Sequence, residues 1–415
     1  MKFIKAGNLE DAWYNFEPSL SLPFPKGEPF FVQRDDYTLE RMRKNIIRHK
    51  GTVKKFFLCG HTGSGKSTEL NRLAQDRELN ETFFVIKALA EGLDINNLTY
   101  IDLLLLMGFE IHRTAVKDSN IKVPNNLKKE LEDWSIKVVK TFDKNDSIEA
   151  EVRAGAGAWI TSFWTRMKTR SDYKTQKKQV IDPKLGDLIT IIDNLAIHIK
   201  NKTGKPPLMI FDDLEKGTSL EKKKELFSDN YSNIAAPRLH ALLTLPVAFR
   251  AMPGNEIPAD QIYTYPSVKI YEMPTKKSKK TVWNLQGKQT MARFIETRID
   301  SKLIDENARD EIILIGNGIF KETCRAMQLA IDHAEANKRG KVTQADAEFV
   351  FNEIKKDFQP MLRDDEVAVC KNVLKNHRWT EGVEPLIYAN AVVEYENADV
   401  WLDLRHSIKD LVARY

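Results

Sequence analysis

The sequence over residues 55–75 is KFFLCGHTGSGKSTELNRLAQ. It begins with a short apolar run, passes through a glycine-rich loop and ends in a segment whose Leu70 and Leu73 share one helical face. The loop fits the pattern of a glycine, four residues of any type, then glycine, lysine and serine. This stretch therefore predicts an α/β domain in which a strand leads through a phosphate-binding loop (P-loop) into a helix.

The residue types of the P-loop suit a nucleoside triphosphate. Glycines let successive backbone N–H groups turn toward phosphates, and the start of the helix adds a partial positive charge. We expect Lys66 to reach the β- and γ-phosphates of ATP, Ser67 to bind Mg²⁺ and the Thr68 hydroxyl to contact the α-phosphate. A glycine-rich turn with an incidental lysine is the alternative, and the flanking strand and helix weigh against it. The predicted nucleotide-binding residues are Gly60, His61, Thr62, Gly63, Ser64, Gly65, Lys66, Ser67 and Thr68.

The second sequence element of the predicted site is acidic and follows the apolar run at residues 208–211. This run predicts a buried central strand that delivers Asp212 to the sheet edge where the P-loop lies. Asp212 would hold Mg²⁺, and Asp213 or Glu215 would orient the water that attacks the γ-phosphate. Many hydrolytic ATPases place a glutamate where Asp213 stands. The shorter side chain predicts slow turnover, with Glu215 as a substitute base.

Five further residues are candidates for a direct role at the nucleotide. Thr244 lies on the next predicted strand and could present its hydroxyl to the γ-phosphate, or serve only strand propensity. Lys321 and Arg325 are one helical turn apart and could both sense the γ-phosphate, or form a solvated face. Arg238 and Arg250 flank the Thr244 strand, and whether either acts in trans on a neighbouring chain is left open.

The chain divides into four predicted parts. They are an N-terminal arm with a first helix (1–50), a P-loop core (51–275) with a helical insertion at about 116–203, a helical lid (281–360) and a winged-helix-like module (364–415). Further core strands are expected at residues 83–88, 239–248 and 268–271, the last of these closing a parallel sheet with helices on both faces. The basic loop at 275–280 marks the boundary of the lid. In the last part, residues 386–388 and 392–395 are expected to form a hairpin.

The length and composition of the chain are typical of a globular protein and exclude a disordered or fibrous one. The chain has 415 residues, 42% hydrophobic and 30% charged, and its apolar runs are far shorter than the roughly 18 residues that span a membrane. We therefore expect a cytoplasmic protein without membrane contact. The net charge of +5 permits contact with nucleic acid without requiring it. Cys59, Cys324 and Cys370 are far apart and are expected to be reduced, partly buried thiols.

On the blocks at residues 57–70, 210–216, 244–246 and 318–325, the chain resembles bacterial P-loop ATPases of the AAA+/STAND type. Its C-terminal architecture is similar to that of origin-recognition ATPases. The resemblance implies a lid that closes over ATP, a C-terminal module that binds DNA or a protein, and self-association. The lid arginine of the family corresponds to Lys321 here, so its sensor role would pass to Arg325 or be lost.

Three functions are compatible with these features. The leading one is a slow ATPase that acts as a nucleotide-dependent switch or assembly factor, placed in bacterial defence or mobile-element biology by resemblance alone. The alternative is a DNA-binding AAA+ loader that uses its C-terminal winged helix. A small-molecule kinase ranks lower, because such kinases are usually compact and this chain carries a large helical C-terminal half.

Overall fold

The computed structural model of the protein describes residues 2–34, 36–88, 98–115, 121–142, 182–217, 219–251, 254–274, 282–396 and 399–415. The middle of the predicted insertion and the basic loop at 275–280 lie outside these residues. Among the helices that the structure describes, none has the length and apolar character to cross a membrane.

The core is a five-stranded parallel sheet with the strand order β2-β3-β4-β1-β5. Its strands are β1 (Lys55–Gly60), β2 (Phe84–Ala88), β3 (Pro207–Phe211), β4 (His240–Pro246) and β5 (Ile262–Thr264). β1 pairs in parallel with β4 on one side and with β5 on the other. The predicted fold class, a parallel P-loop sheet, is confirmed.

The last strand of the sheet was wrongly placed by the sequence pattern. It is Ile262–Thr264, whereas residues 268–271 leave the sheet and Tyr271 pairs with Trp283 in an antiparallel ribbon, β6 (Tyr271–Glu272) with β7 (Val282–Trp283). β5 is three residues long and gives too short a pattern to recognise. Val268 and Ile270 are apolar because they pack with the lid, not because they extend the sheet.

Alternate residues of the buried strands serve two cores, one on each face of the sheet. Phe56 and Leu58 pack with α2 (Thr38–Arg48), α3 (Lys66–Ala74) and α4 (Arg77–Thr82). Phe57 and Cys59 pack on the opposite face. The helices there are α5 (Tyr100–Arg113), α6 (Asn125–Phe142) and α7 (Leu185–Thr203), followed along the chain by the short α8 (Leu220–Lys224) and α9 (Tyr231–Ala235). The described ends of the predicted insertion are thus part of the core.

The lid, predicted to be helical over residues 281–360, consists of four helices. They are α10 (Leu285–Glu296), α11 (Glu306–Gly316), α12 (Phe320–Ala336) and α13 (Gln344–Phe358). The N-terminal arm, residues 2–34, contains a helix that the sequence pattern missed, α1 (Leu9–Asn15). Asn15 donates its side-chain amide to the Arg298 carbonyl at 2.8 Å, so the arm is attached to the lid.

The C-terminal module, residues 364–415, contains α14 (Asp364–Asn376), α15 (Glu384–Tyr388), β8 (Val392–Glu396), β9 (Val400–Leu404) and α16 (His406–Val412). The hairpin is β8 with β9, so the prediction of a strand at residues 386–388 is wrong. Pro385 at the second position of α15 starts a helical turn there instead. Arg405 pairs with Glu322 of the lid at 2.7 Å, and the two parts share one apolar core.

Candidate nucleotide-binding site

The P-loop joins β1 to α3 in a conformation that depends on its glycines. Gly63 and Gly65 have φ values of 86° and 99°, in the left-handed region that side chains disfavour. A Cβ atom on Gly63 would also lie 2.3 Å from the Cβ of Lys321. Because the Lys321 side chain of the lid approaches the loop this closely, only glycine fits at residue 63.

Lys66, the first residue of α3, is almost completely buried, with 2% of its surface exposed. Its ammonium group donates to the carbonyls of Gly60 and His61 at 3.0 and 2.9 Å. It also pairs with the Glu215 carboxylate at 2.9 Å. The charge of Lys66 is therefore fixed within the concave side of the loop, where phosphate oxygens would need it.

Glu215 is the buried counter-ion of this lysine. Its burial opposes ionisation, but the charge of Lys66 and contact with Thr244 outweigh this effect and lower the pKa of Glu215 below its usual value. Glu215 is thus ionised, at 3% exposure. Sequence reasoning proposed Glu215 as a base and did not foresee its ion pair with Lys66.

Ser67, Asp212 and Asp213 form an oxygen-rich cluster beside the loop. The Ser67 hydroxyl lies 3.0 Å from Asp212 Oδ1 and 3.3 Å from Asp213 Oδ1, and Asp213 also pairs with Lys216 at 2.7 Å. Burial, together with the charges of Asp213 and Glu215, raises the pKa of Asp212 to about 6. Crowded carboxylates and a hydroxyl are the ligand types that Mg²⁺ prefers, so these residues fit the ion.

Thr244 supports the loop after β3 and does not line the described cavity. Its buried hydroxyl accepts the Leu214 N–H at 3.0 Å, and this bond fixes the loop that carries Asp213 and Glu215. Thr244 is not among the described residues that line the cavity. Its contact with the γ-phosphate stays a prediction, and the structure favours a positioning role.

A cavity of about 260 Å³ lies over the P-loop, between the arm, the core and the lid. Its lining includes Lys66, Ser67, Asp213 and Glu215. The lining also contains residues that the sequence did not mark, namely Leu22, Val32, Arg34, Tyr265, Phe294 and Phe320. No motif identifies these residues, because they come together from the arm, the core and the lid.

Among these residues, Arg34 of the arm contacts both the core and the P-loop. Its guanidinium lies 4.0 Å from the centre of the Tyr265 ring and donates to the Ser64 carbonyl at 3.2 Å. The Thr68 hydroxyl, predicted to contact the α-phosphate, accepts the Leu22 N–H at 3.2 Å. The arm therefore contacts the P-loop and α3 at several points.

The two proposed sensor residues lie in different environments. Lys321 lines the cavity, and its backbone N–H donates to the Gly63 carbonyl at 3.2 Å. Arg325 pairs with Asp357 of α13 and has 43% of its side chain exposed. The transfer of the sensor role to Arg325, which the resemblance implies, stays a prediction, and the geometry favours Lys321.

Arg250 and Arg238 also differ. Arg250 donates to the Thr264 hydroxyl at 2.8 Å and lies 3.5 Å from Glu396 of the C-terminal module, within the same chain. Arg238 is 79% exposed and lies 3.8 Å from Asp193. Of the two, Arg238 has the exposure that a role in trans requires.

The His61 side chain contacts the C-terminal module. It is buried and contacts Asn390 and Glu394 of the C-terminal module. Its predicted contribution to nucleotide binding is therefore limited to its backbone. Cys59, Cys324 and Cys370 are free and buried.

Comparison with protein-family models gives no match, and comparison with curated proteins gives none at a significant level. Several solved structures are similar over nearly the full length. They include Cdc6p from Pyrobaculum aerophilum (12% identity, 97% of this chain and 98% of that one, TM-score 0.37). Drosophila ORC bound to DNA is 9% identical, over 99% of this chain and 92% of that one, with a TM-score of 0.39. A Walker-type ATPase of Pyrococcus abyssi is 14% identical, over 97% of this chain and 100% of that one, with a TM-score of 0.41.

The resemblance to origin-recognition ATPases is thus found again among solved structures. Its bacterial and STAND parts stay predictions. With TM-scores below 0.5, these similarities assign no role to any residue, and the properties of the site rest on the contacts within this chain.

Proposed function

We propose that this chain binds ATP with Mg²⁺ and hydrolyses it slowly, as a nucleotide-dependent switch or assembly factor. One observation supports ATP binding above all: Lys66 is buried inside an intact P-loop at the end of an open cavity, next to the Ser67 and Asp212 oxygens. Ser67 and Asp212 would hold Mg²⁺, which would offset the charge of the phosphates. The Gly63 to Lys66 backbone would bind the phosphates through its N–H groups.

Two carboxylates are candidates for orienting the attacking water, since Asp213 and Glu215 both line the cavity. Asp213 is already paired with Lys216 and with Ser67, toward the proposed Mg²⁺ position. Glu215 lies beside Lys66, which would contact the β- and γ-phosphates. We assign the water-orienting role to Glu215, and Asp213 then supports the cation.

A switch function is supported by the origin of the cavity walls. The arm, the core and the lid each contribute residues, so a ligand in the cavity contacts three parts of the chain at once. ATP and ADP can favour different arrangements of these parts only if some contact distinguishes them. The γ-phosphate is the chemical difference between the two nucleotides. Two lid cations line the cavity, Lys321 and Arg298. The Arg298 guanidinium donates to the carbonyls of Phe30 and Phe294 at 3.1 and 2.9 Å, so Lys321 is the better candidate for the γ-phosphate.

Lys321→Ala is expected to remove the difference between ATP and ADP while sparing ADP affinity, because the lid then loses the ammonium group proposed to contact the γ-phosphate. Limited proteolysis with each nucleotide measures this difference. Arg325→Ala, one turn further along α12, is the matched control and should behave as wild type. If only Arg325→Ala loses the distinction, Arg325 is the sensor; if neither variant loses it, the lid does not sense the γ-phosphate.

The alternative function, a DNA loader, is less well supported. The C-terminal module has six Lys and Arg against ten Asp and Glu, a net charge of −4, which opposes a polyanion. Its hairpin is docked on the P-loop through the Glu394 N–H. Strong, salt-dependent DNA binding that disappears with residues 364–415 would revive this function.

One experiment tests the main proposal directly. ATP affinity is measured by calorimetry with and without Mg²⁺, and the mass of the purified protein is measured in parallel. We expect ATP binding that strengthens with Mg²⁺, turnover below about 10 per second and a nucleotide-dependent change in mass. Absence of ATP binding would overturn the proposal, whereas binding without a change in mass would remove only the assembly role.

A further inference from the structure

The C-terminal module contacts both loops that border the phosphate site. Asn390 and the backbone of Glu394 hold the P-loop. Tyr388 donates its hydroxyl to the carbonyl of Gly217, in the loop that follows the acidic residues, and lies 3.4 Å from the carbonyl of Glu215. The module thus contacts the P-loop across 329 positions of sequence and the loop of Glu215 and Gly217 across 171 positions.

His61 is held in one tautomer by these contacts. The Glu394 backbone N–H can only donate, so His61 Nε2, at 2.9 Å, must accept. The proton of the neutral ring is then on Nδ1, which donates to Asn390 Oδ1 at 3.0 Å. Burial lowers the pKa of His61 to about 4, so the ring is neutral near pH 7.

Asn390 binds two successive P-loop residues with its two amide atoms. Its amide oxygen accepts from His61. Its amide nitrogen donates to the Thr62 carbonyl at 3.1 Å. Asn390 lies between α15 and β8 with φ at 57°, a left-handed conformation that asparagine tolerates better than most residues. We name the bonds of Asn390 and Glu394 to residues 61 and 62 the clasp.

The module residues of the clasp are separate from the described lining of the cavity. Thr62, Gly63 and Lys66 line the cavity, whereas Asn390 and Glu394 are not among its described lining residues. Nucleotide and C-terminal module therefore do not compete for the same atoms. With the module docked, Gly63 and Gly65 have left-handed backbone conformations and Lys66 lines the cavity.

We infer that Asn390 is a positioning residue for the nucleotide site and that the clasp makes ATP binding and docking of the C-terminal module favour each other. This inference rests on the proposed ATP binding. A loop held at His61 and Thr62 loses less conformational freedom when phosphates bind. By reciprocity, bound nucleotide must then stabilise the docked module by the same factor.

Asn390→Ala should weaken ATP and ADP binding about tenfold, within the usual range of coupling between sites. The matched control is Asn372→Ala, which removes a 2.7 Å side-chain bond to Thr380 inside the same module and away from the P-loop. The control should bind nucleotide as wild type does. Equal affinities for wild type and Asn390→Ala would overturn the inference.

A second measurement uses the wild-type chain and does not depend on how well a variant folds. Hydrogen exchange of the Glu394 amide reports the clasp itself, because this N–H is bonded to His61. We expect saturating ADP to slow its exchange about tenfold, while the module amide of Leu411, far along α16, changes less. Unchanged or faster exchange at Glu394 would show that docking and nucleotide are independent or opposed.

The two proposals fail in different ways. If wild type binds no ATP or ADP, the proposed function is wrong. If wild type binds nucleotide but Glu394 exchange does not slow, the function stands and the clasp inference is wrong. If Asn390→Ala cannot be purified folded, the wild-type exchange result decides alone.

Discussion

Lys66→Ala is expected to abolish nucleotide binding at any ATP concentration that can be tested by calorimetry. Lys66 is the P-loop cation, and its ammonium group is already placed on the inner side of the loop by the Gly60 and His61 carbonyls. No other residue of the P-loop carries a positive charge at neutral pH, because His61 is buried and neutral. Wild-type ATP affinity in this variant would show that the cavity is not a nucleotide site.

A control must separate loss of the site from loss of stability. Removing Lys66 leaves Glu215 buried without its partner, which costs about 3–5 kcal/mol in comparable pairs. Lys55 at the opposite end of β1 is a second buried lysine, bonded to the carbonyls of Pro237 and Leu239 at 2.7 and 2.6 Å. Lys55→Met should also lower the melting temperature, yet keep its ATP affinity.

The parts of the site that the sequence predicted are those encoded within one short stretch. The P-loop residues 60–68 and the strand before Asp212 each combine a local pattern with a local structure, so β1, α3 and β3 could be placed directly. The lid helices were predicted for the same reason, since each carries its own apolar period. Such patterns predict only structure that is formed by residues close in sequence.

The parts that escaped prediction depend on contacts between distant segments. Arg34 joins the P-loop from the arm, and Asn390 joins it from a position 329 residues beyond its partner. Neither residue belongs to a motif, and each would be ordinary on a surface. The mistaken hairpin at residues 386–388 has a related cause, because three apolar residues fit a buried helical turn as well as a strand.

The contacts around the P-loop assign a separate task to each part of the chain. The core supplies the cation and the carboxylates, the arm contacts α3 through Leu22 and Thr68, and the lid approaches Gly63 through Lys321. The C-terminal module holds the outer side of the loop through Asn390. A nucleotide bound at the P-loop would therefore be linked to the arrangement of all four parts, as the proposed switch requires.

Glu215→Gln is expected to reduce ATP turnover at least tenfold, because a general base typically contributes about 10²–10⁴-fold and glutamine cannot accept a proton from water. The same variant should bind ATP at least as tightly as wild type. Glu215 now shares the ammonium group of Lys66, at 2.9 Å, with any incoming phosphate. An amide of the same shape removes that competition, so steady-state turnover and calorimetric affinity should move in opposite directions.

The stability of the Glu215→Gln variant gives an independent readout of the same pair. Without nucleotide, Lys66 loses its buried counter-ion, and the free energy of unfolding should fall by about 3 kcal/mol. ATP restores a negative partner, so it should raise the melting temperature more in the variant than in wild type. Asp213→Asn is the matched control, since it removes a neighbouring charge that pairs with Lys216 instead of Lys66. If Asp213→Asn stops turnover while Glu215→Gln does not, the water is oriented by Asp213, and Glu215 serves only to hold Lys66 in place.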